Sequence, residues 1–199
     1  MANILIATLY IHQPIIAAAT KISADRLILL IDEKSDENQQ KALKLIQDSL
    51  GSVLEIKTVK TKTYDIVSIA EEAVKIIDLL SDKDQIYADV TAGRKTKAFG
   101  LLFGCYARIG RIKKIMYVCE EDKRIVSLPK VSYNLTDGQR KVVDYLASNN
   151  IKSLMDFSEK IDISRAMVYK YIKELKDMDI IEETEDGYKL TDYGRIVIL

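Results

Sequence analysis

The chain has 199 residues, of which 48% are hydrophobic, enough for one large core or two small ones. Its formal net charge is +0, so no global field draws it to nucleic acid or to an acidic membrane. Its two cysteines, Cys105 and Cys119, have no metal-ligand spacing and no disulfide framework, which fits a reducing compartment.

The start, Met1-Ala2-Asn3, lacks the basic opening of a secretory signal. No apolar run reaches the ~20 residues of a membrane span. The expectation is a soluble, cytoplasmic protein with no membrane partner.

From the start to about Ser127, short apolar runs alternate with amphipathic stretches. Ile4 to Leu9 reads as a strand covered on both faces. Pro14 stands where a first helical turn begins, and Ile15 to Ala19 follow as a small apolar helix. Leu27 to Ile31 is a second buried strand ending at Asp32. A helix from about Asp36 to Leu50 carries Ala42, Leu43, Leu45, Ile46 and Leu50 as its stripe. Val53 to Thr58 reads as a third strand. Asp65 caps a long helix bearing Ile66, Ile69, Ala70, Ala73, Ile76, Ile77 and Leu80. Gln85 to Thr91 reads as a fourth strand. A helix from about Lys95 to Ile109 precedes strands at Ile115–Val118 and Arg124–Ser127.

This alternation predicts an α/β, Rossmann-like domain with a mainly parallel sheet of order 3-2-1-4-5. Its ligand crevice lies beyond the carboxyl ends of the first and fourth strands. The loops there are Leu9 to Gln13, which holds the only histidine, and Thr91 to Lys97, the most cationic loop of the domain.

The second part follows a connection at Leu128 to Tyr133. Thr136 caps a helix with Val142, Val143, Tyr145 and Leu146 inward, and Ser153 to Ile161 forms a second. Ser164 caps a third, whose Val168, Tyr171, Ile172 and Leu175 have the spacing of a buried face. Ile180 to Glu183 and Tyr188 to Leu190 flank a hairpin turn at Glu185-Asp186-Gly187. Three helices and a hairpin predict a small winged helix-turn-helix. The expected organisation is thus 1–128 for the ligand domain, 129–134 for the linker and 135–199 for the winged helix.

The chemistry centres on Gly93-Arg94-Lys95-Thr96-Lys97. A helix start exposes N–H groups that attract phosphate, and glycine permits close backbone approach. Arg94, Lys95 and Lys97 add cations, and Thr91 and Thr96 add hydroxyls. Three cations at a helix start oppose its dipole, a cost that a bound anion offsets. The loop is neither a Walker A loop nor a G-x-G-x-x-G fingerprint, because the required glycines are missing. Gly100 and Gly104 form a flat helix face that could let two helices, or a helix and the sheet, approach closely, with sheet packing the leading expectation.

Asp89-Val90-Thr91-Ala92-Gly93-Arg94-Lys95-Thr96 resembles the second ligand motif of CRISPR-associated Rossmann fold (CARF) domains. In that family a strand ends in roughly (D/N)-x-T-(G/A)-G-(T/R)-K before a helix. Thr8 to His12 matches the first ligand motif by position only. CARF domains are commonly fused to a C-terminal winged helix, so the resemblance extends over nearly the whole chain.

The resemblance implies a homodimer that binds a cyclic oligoadenylate, often the tetra-adenylate, across its two-fold. It implies a pocket of Thr8, Leu9, Tyr10, His12, Thr91, Ala92, Gly93, Arg94, Lys95 and Thr96, with Lys95 on phosphate. No metal site or cofactor is implied. The leading function is a CRISPR-associated, ligand-responsive transcription regulator in antiviral defence. The alternative is a metal-independent ring nuclease with the winged helix as scaffold. There Lys95 would stabilise charge and His12 would take the proton of an attacking ribose 2′-hydroxyl. A nucleotide-binding regulator outside CRISPR is the third reading.

Double-stranded DNA is the expected second partner, read by Ser164, Arg165, Tyr169, Lys170 and Lys173 of the third helix. Arg165, Tyr169, Lys173 and Lys176 share one face opposite the apolar stripe. From Thr136 onward acidic residues outnumber basic ones, and Glu182, Glu183, Glu185 and Asp186 in the wing would repel phosphate. A dimerisation role for this domain therefore stays open.

Overall fold

The apolar runs pair into one twisted sheet. In the computed structural model, which describes residues 1–130, 134–149, 151 and 154–199, the strands are β1 (Asn3–Thr8), β2 (Arg26–Asp32), β3 (Glu55–Thr61), β4 (Gln85–Asp89), β5 (Ile112–Val118) and β6 (Ile125–Ser127). They lie in the order β3-β2-β1-β4-β5-β6. The first five run parallel, and β6 pairs antiparallel to β5. This is the α/β, mainly parallel, Rossmann-like architecture expected from the alternation of elements.

The central strands β1 and β2 are buried on both faces, which is why their sequences are unbroken apolar runs. Leu5, Ala7, Leu27 and Leu29 face α1 (Gln13–Lys21) and α2 (Glu37–Leu50). Ile4, Ile6, Ile28, Leu30, Ile86 and Ala88 face the opposite layer, α3 (Ile66–Leu79) and α4 (Lys95–Ala107). The edge strand β3 is mostly exposed and starts later than the sequence predicts, because Val53 and Leu54 donate backbone bonds to Leu50 and prolong the turn after α2.

Local chemistry sets the helix starts. Asp36 Oδ1 accepts from Gln39 N at 2.9 Å, and Asp65 Oδ1 from Ser68 N at 2.9 Å. Each such cap contributes about 1 kcal/mol. Pro14 lies in the first turn of α1. Gly100 and Gly104 do not meet the sheet. They meet α3: a β-carbon at Gly100 would lie 2.5 Å from Ile69 Cβ, and one at Gly104 2.6 Å from Ala73 Cβ. The flat face permits close contact between two helices of the same layer.

The chain forms two compact units, Met1–Ser132 and Tyr133–Leu199. The second contains α5 (Asp137–Leu146), α6 (Leu154–Lys160), α7 (Arg165–Asp177), the hairpin β7 (Ile181–Thr184) and β8 (Gly187–Leu190), and α8 (Asp192–Val197). Thr136 and Gln139 form a capping box at α5. Val142, Val143, Phe157, Val168, Ile172, Leu175 and Ile180 form its core.

Two local expectations change here. Ser164 stands at the start of α7 but its side chain makes no capping bond. The hairpin turn is Glu185-Asp186 alone, since Gly187 already pairs with Thr184, at a φ of 111°. Thr191 caps α8 by accepting from Gly194 N at 3.0 Å, so the tail is helical. Ser153 and the expected linker positions 131–133 lie outside the described residues.

Candidate functional site

Because β1 and β4 are adjacent and parallel, the loops that leave them meet. Thr8 is fully buried at the end of β1, and its hydroxyl donates to the Ala92 carbonyl. Gly93 adopts a φ of 107°, and a β-carbon there would lie 2.8 Å from Thr8 Cβ. Only glycine meets both demands. The two expected ligand loops are thereby joined into one rim.

Several predicted pocket residues serve as framework beneath that rim. Leu9 is fully buried; its N–H donates to Leu30 O at 3.1 Å and its carbonyl accepts from Gln39 Nε2 at 2.8 Å. Ala92 is buried. The Thr91 hydroxyl donates to Asp89 Oδ1 and accepts from Val118 N at 2.7 Å, which ties β4 to β5. The Thr96 hydroxyl donates to Thr63 O at 2.6 Å and fixes the loop before α3. Small polar side chains at strand ends offer such backbone bonds as readily as ligand contacts, and the sequence pattern does not distinguish them.

The cations divide by role. Lys97, read as a donor to the ligand, is buried at 0% exposure. Its Nζ donates to Ile31 O at 2.8 Å and to the Thr61 hydroxyl, and stands 3.0 Å from Asp32 Oδ1. Burial lowers its pKa, against the raising effect of Asp32. Lys97 closes the carboxyl ends of β2 and β3 and does not reach the rim.

Arg94 is half-exposed. Its Nε donates to Asp32 Oδ2 at 3.3 Å, and its Nη2 lies 3.6 Å from Asp36 Oδ2. The hydrogen bond to Asp32 raises its pKa further. Its guanidinium carbon lies 5.6 Å from the Tyr10 ring centre and 5.8 Å from that of Tyr64. Lys95, the first residue of α4, is exposed and has no ion pair or hydrogen-bond partner among the described residues. Tyr10 and His12 are half-buried on the loop after β1; His12 stands at the start of α1 without a capping bond from its side chain.

The structure thus brings Tyr10, Gly93 and Arg94 together, with Lys95 next in the chain, and it recruits Asp32, Asp36 and Tyr64. Asp32 was visible in the sequence only as the last residue of a strand, and Tyr64 carried no signal. Asp89, fully buried, has one carboxylate oxygen bonded to Thr91 and the other without a hydrogen-bond partner among the described residues. Burial raises its pKa, against the lowering effect of the Thr91 bonds.

Residues 5–124 match the model of the family described as HFX_2341_N:-like, N-terminal. The chain belongs to that family. The match covers the sheet domain through the loop before β6, so the HFX_2341_N-like region contains both rim loops. No curated protein matches the sequence significantly.

Solved structures share the fold at low identity. Can2 from Sulfobacillus thermosulfidooxidans, in complex with cyclic tetra-adenylate, is 15% identical with a TM-score of 0.51, over 98% of this chain and 63% of that one. Csm6 from Enterococcus italicus, bound to cyclic hexa-2'-fluoro-hexa-dAMP, is 12% identical with a TM-score of 0.53, over 90% and 55%. A type III CRISPR defence DNA nuclease activated by cyclic oligoadenylate is 13% identical with a TM-score of 0.52, over 89% and 30%. The chain spans less than two thirds of each.

The remaining surfaces are simpler. Ser164, Arg165, Tyr169, Lys170 and Lys173 are all exposed on or beside α7. Lys170 lies 3.8 Å from Glu174, and Lys176 is held by Glu183 of the hairpin at 2.6 Å. Arg165 and Lys173 have no ion-pair partner among the described residues. A cavity of about 660 Å³ beside α1, lined by Lys21, Tyr87, Lys114, Met116 and Arg124 among others, contains none of the predicted site residues. Among the described residues no helix is long and apolar enough to cross a membrane, and no cluster of His, Cys, Asp or Glu could hold a metal ion.

Proposed function

We propose that the chain is a cyclic oligoadenylate sensor of the CARF type, acting as a homodimeric transcription regulator whose second unit is a winged helix. One observation carries the reading: Gly93 closes on Thr8 and makes a single rim of the β1 and β4 loops at the switch point of the sheet. Ligands of open α/β sheets bind at that point. Lys95 stands there, exposed, at the start of a helix whose first N–H groups favour an anion.

The ligand class is supported by two structures of the same fold, each holding a cyclic oligonucleotide. A ring of four identical nucleotides has its own two-fold axis, so two copies of the rim would each take half of it. Tyr10, His12, Gly93, Arg94 and Lys95 are the residues assigned to the ligand. Tetra-adenylate is the ring size proposed first. In the second unit, α7 would enter the major groove through Arg165, Tyr169 and Lys173, with Ser164 and Lys170 near the backbone.

The test is titration of the full chain with cyclic tetra-adenylate in metal-free buffer, followed by chromatography of the nucleotide. Saturable binding at one ring per two chains is expected, with the ring recovered intact. Conversion to linear di-adenylate would instead make the protein the ring nuclease, with Lys95 and His12 as the first residues to replace. Operator selection with and without the ring tests the regulator reading, which fails if the ring leaves DNA affinity unchanged. No binding of any cyclic oligoadenylate would overturn the sensor reading.

A further inference from the structure

Tyr64 is a large aromatic residue at 74% exposure, on the loop that joins β3 to α3. Nothing in the sequence marks it as part of a site. The fold nevertheless carries it to the rim, because Thr96 of the β4 loop side donates to the carbonyl of Thr63, its neighbour. There the Arg94 guanidinium carbon lies 5.8 Å from the centre of the Tyr64 ring and 5.6 Å from that of Tyr10.

The arginine is fixed from a third direction. Asp32, which is 2% exposed in its side chain, accepts from Arg94 Nε at 3.3 Å, and is itself held by the buried Lys97 at 3.0 Å. Asp36 lies 3.6 Å from Arg94 Nη2 while also capping α2. A guanidinium braced in this way by two carboxylates has less positive charge to offer a phosphate. It lies instead within cation–π distance of two aromatic rings. Planar rings held in place beside an exposed cation are what a nucleobase and its phosphate require together.

We propose that Tyr64 and Tyr10 form a base-stacking subsite for a purine of the bound nucleotide, with Arg94 as the positioning residue that braces both rings and Lys95 as the phosphate contact. This rests on the nucleotide reading above and adds a third loop to the site. The subsite gives affinity for the base through ring overlap rather than through the tyrosine hydroxyl, since every nucleobase has a π-face. It assigns the Asp32–Arg94 pair to architecture, so the rim discriminates nucleotides from bare phosphates.

The experiment is equilibrium binding of cyclic tetra-adenylate, AMP and ribose 5-phosphate to the full chain, its Tyr64→Ala variant and its Tyr64→Phe variant. Tyr64 is mostly exposed, so both variants should keep the parent melting temperature. Loss of a stacked base predicts that Tyr64→Ala weakens tetra-adenylate about tenfold or more, that Tyr64→Phe stays close to the parent, and that ribose 5-phosphate is insensitive to either change. Parent-like binding by Tyr64→Ala overturns the subsite, as does equal loss in Tyr64→Phe. A parent that binds AMP but not the ring, with that binding lost in Tyr64→Ala, keeps the subsite and overturns the cyclic ligand. A parent that binds none of the three overturns both.

Discussion

Gly93 and Thr8 touch across the switch point, with no room between them for a methyl group: a β-carbon on the glycine would lie 2.8 Å from Thr8 Cβ. The contact is what makes two distant sequence segments into one rim. It also explains why the threonine is buried and spends its hydroxyl on the Ala92 carbonyl.

Gly93→Ala should therefore damage both stability and binding. A non-glycine residue at a φ of 107° is strained, and the new methyl meets Thr8. The expected loss is about 1–3 kcal/mol of stability. Ligand affinity should fall at least tenfold, because the loops must separate. Urea unfolding and titration of the variant measure the two effects.

Lys95→Ala should separate binding from folding. The side chain is exposed and opens a helix, where a cation opposes the dipole. Its removal is expected to leave stability unchanged or to raise it by about 0.3–1 kcal/mol. Nucleotide affinity should drop, and the drop should shrink as salt rises, because the lost contact is electrostatic. A variant that binds as tightly as the parent at low salt would remove Lys95 from the site.

Lys97→Met should behave in the opposite way. Its ammonium is buried against Asp32, and replacing it leaves a carboxylate in the interior with Arg94 as its remaining ion-pair partner. Breaking a buried pair from one side costs about 3–5 kcal/mol. The double change Lys97→Met with Asp32→Asn should recover part of that loss. Melting curves of the four proteins in the cycle give the coupling directly.

Asp89→Asn should reveal a pH dependence of stability. Burial raises the Asp89 pKa above the ordinary aspartate value of 3.8. The folded chain then keeps a proton that the unfolded chain releases. Stability from this group is present below the unfolded value and is lost as pH rises through the folded one. Asparagine mimics the protonated form and still offers its carbonyl oxygen to Thr91 N. The variant should gain on the parent as pH rises from about 4, with the gap constant once Asp89 is ionised in both states. Melting temperatures measured across that range test it. A gap that does not change with pH would show that Asp89 titrates normally.

Much of the architecture was legible in the chain. The unbroken runs Ile4–Leu9 and Leu27–Ile31 announced strands covered on both faces, and Asp65 and Thr136 announced helix starts that their hydrogen bonds bear out. Repetition of strand and helix led to the observed sheet order, because right-handed crossovers leave few alternatives. The position of Val53 was misread because a turn-prolonging backbone bond has no compositional signature.

For the site, the sequence by itself determined which two loops face the crevice and that one begins a cationic helix, since both follow from strand order and local spacing. Only the tertiary structure decided which charges remain free. Lys97 turned inward to close strand ends, Arg94 became bound to Asp32 and Asp36, and Tyr64 arrived from a third loop. The physical reason is that a side chain's charge is set by neighbours brought from 36 to 66 residues away, and no local pattern records which partners the fold will supply.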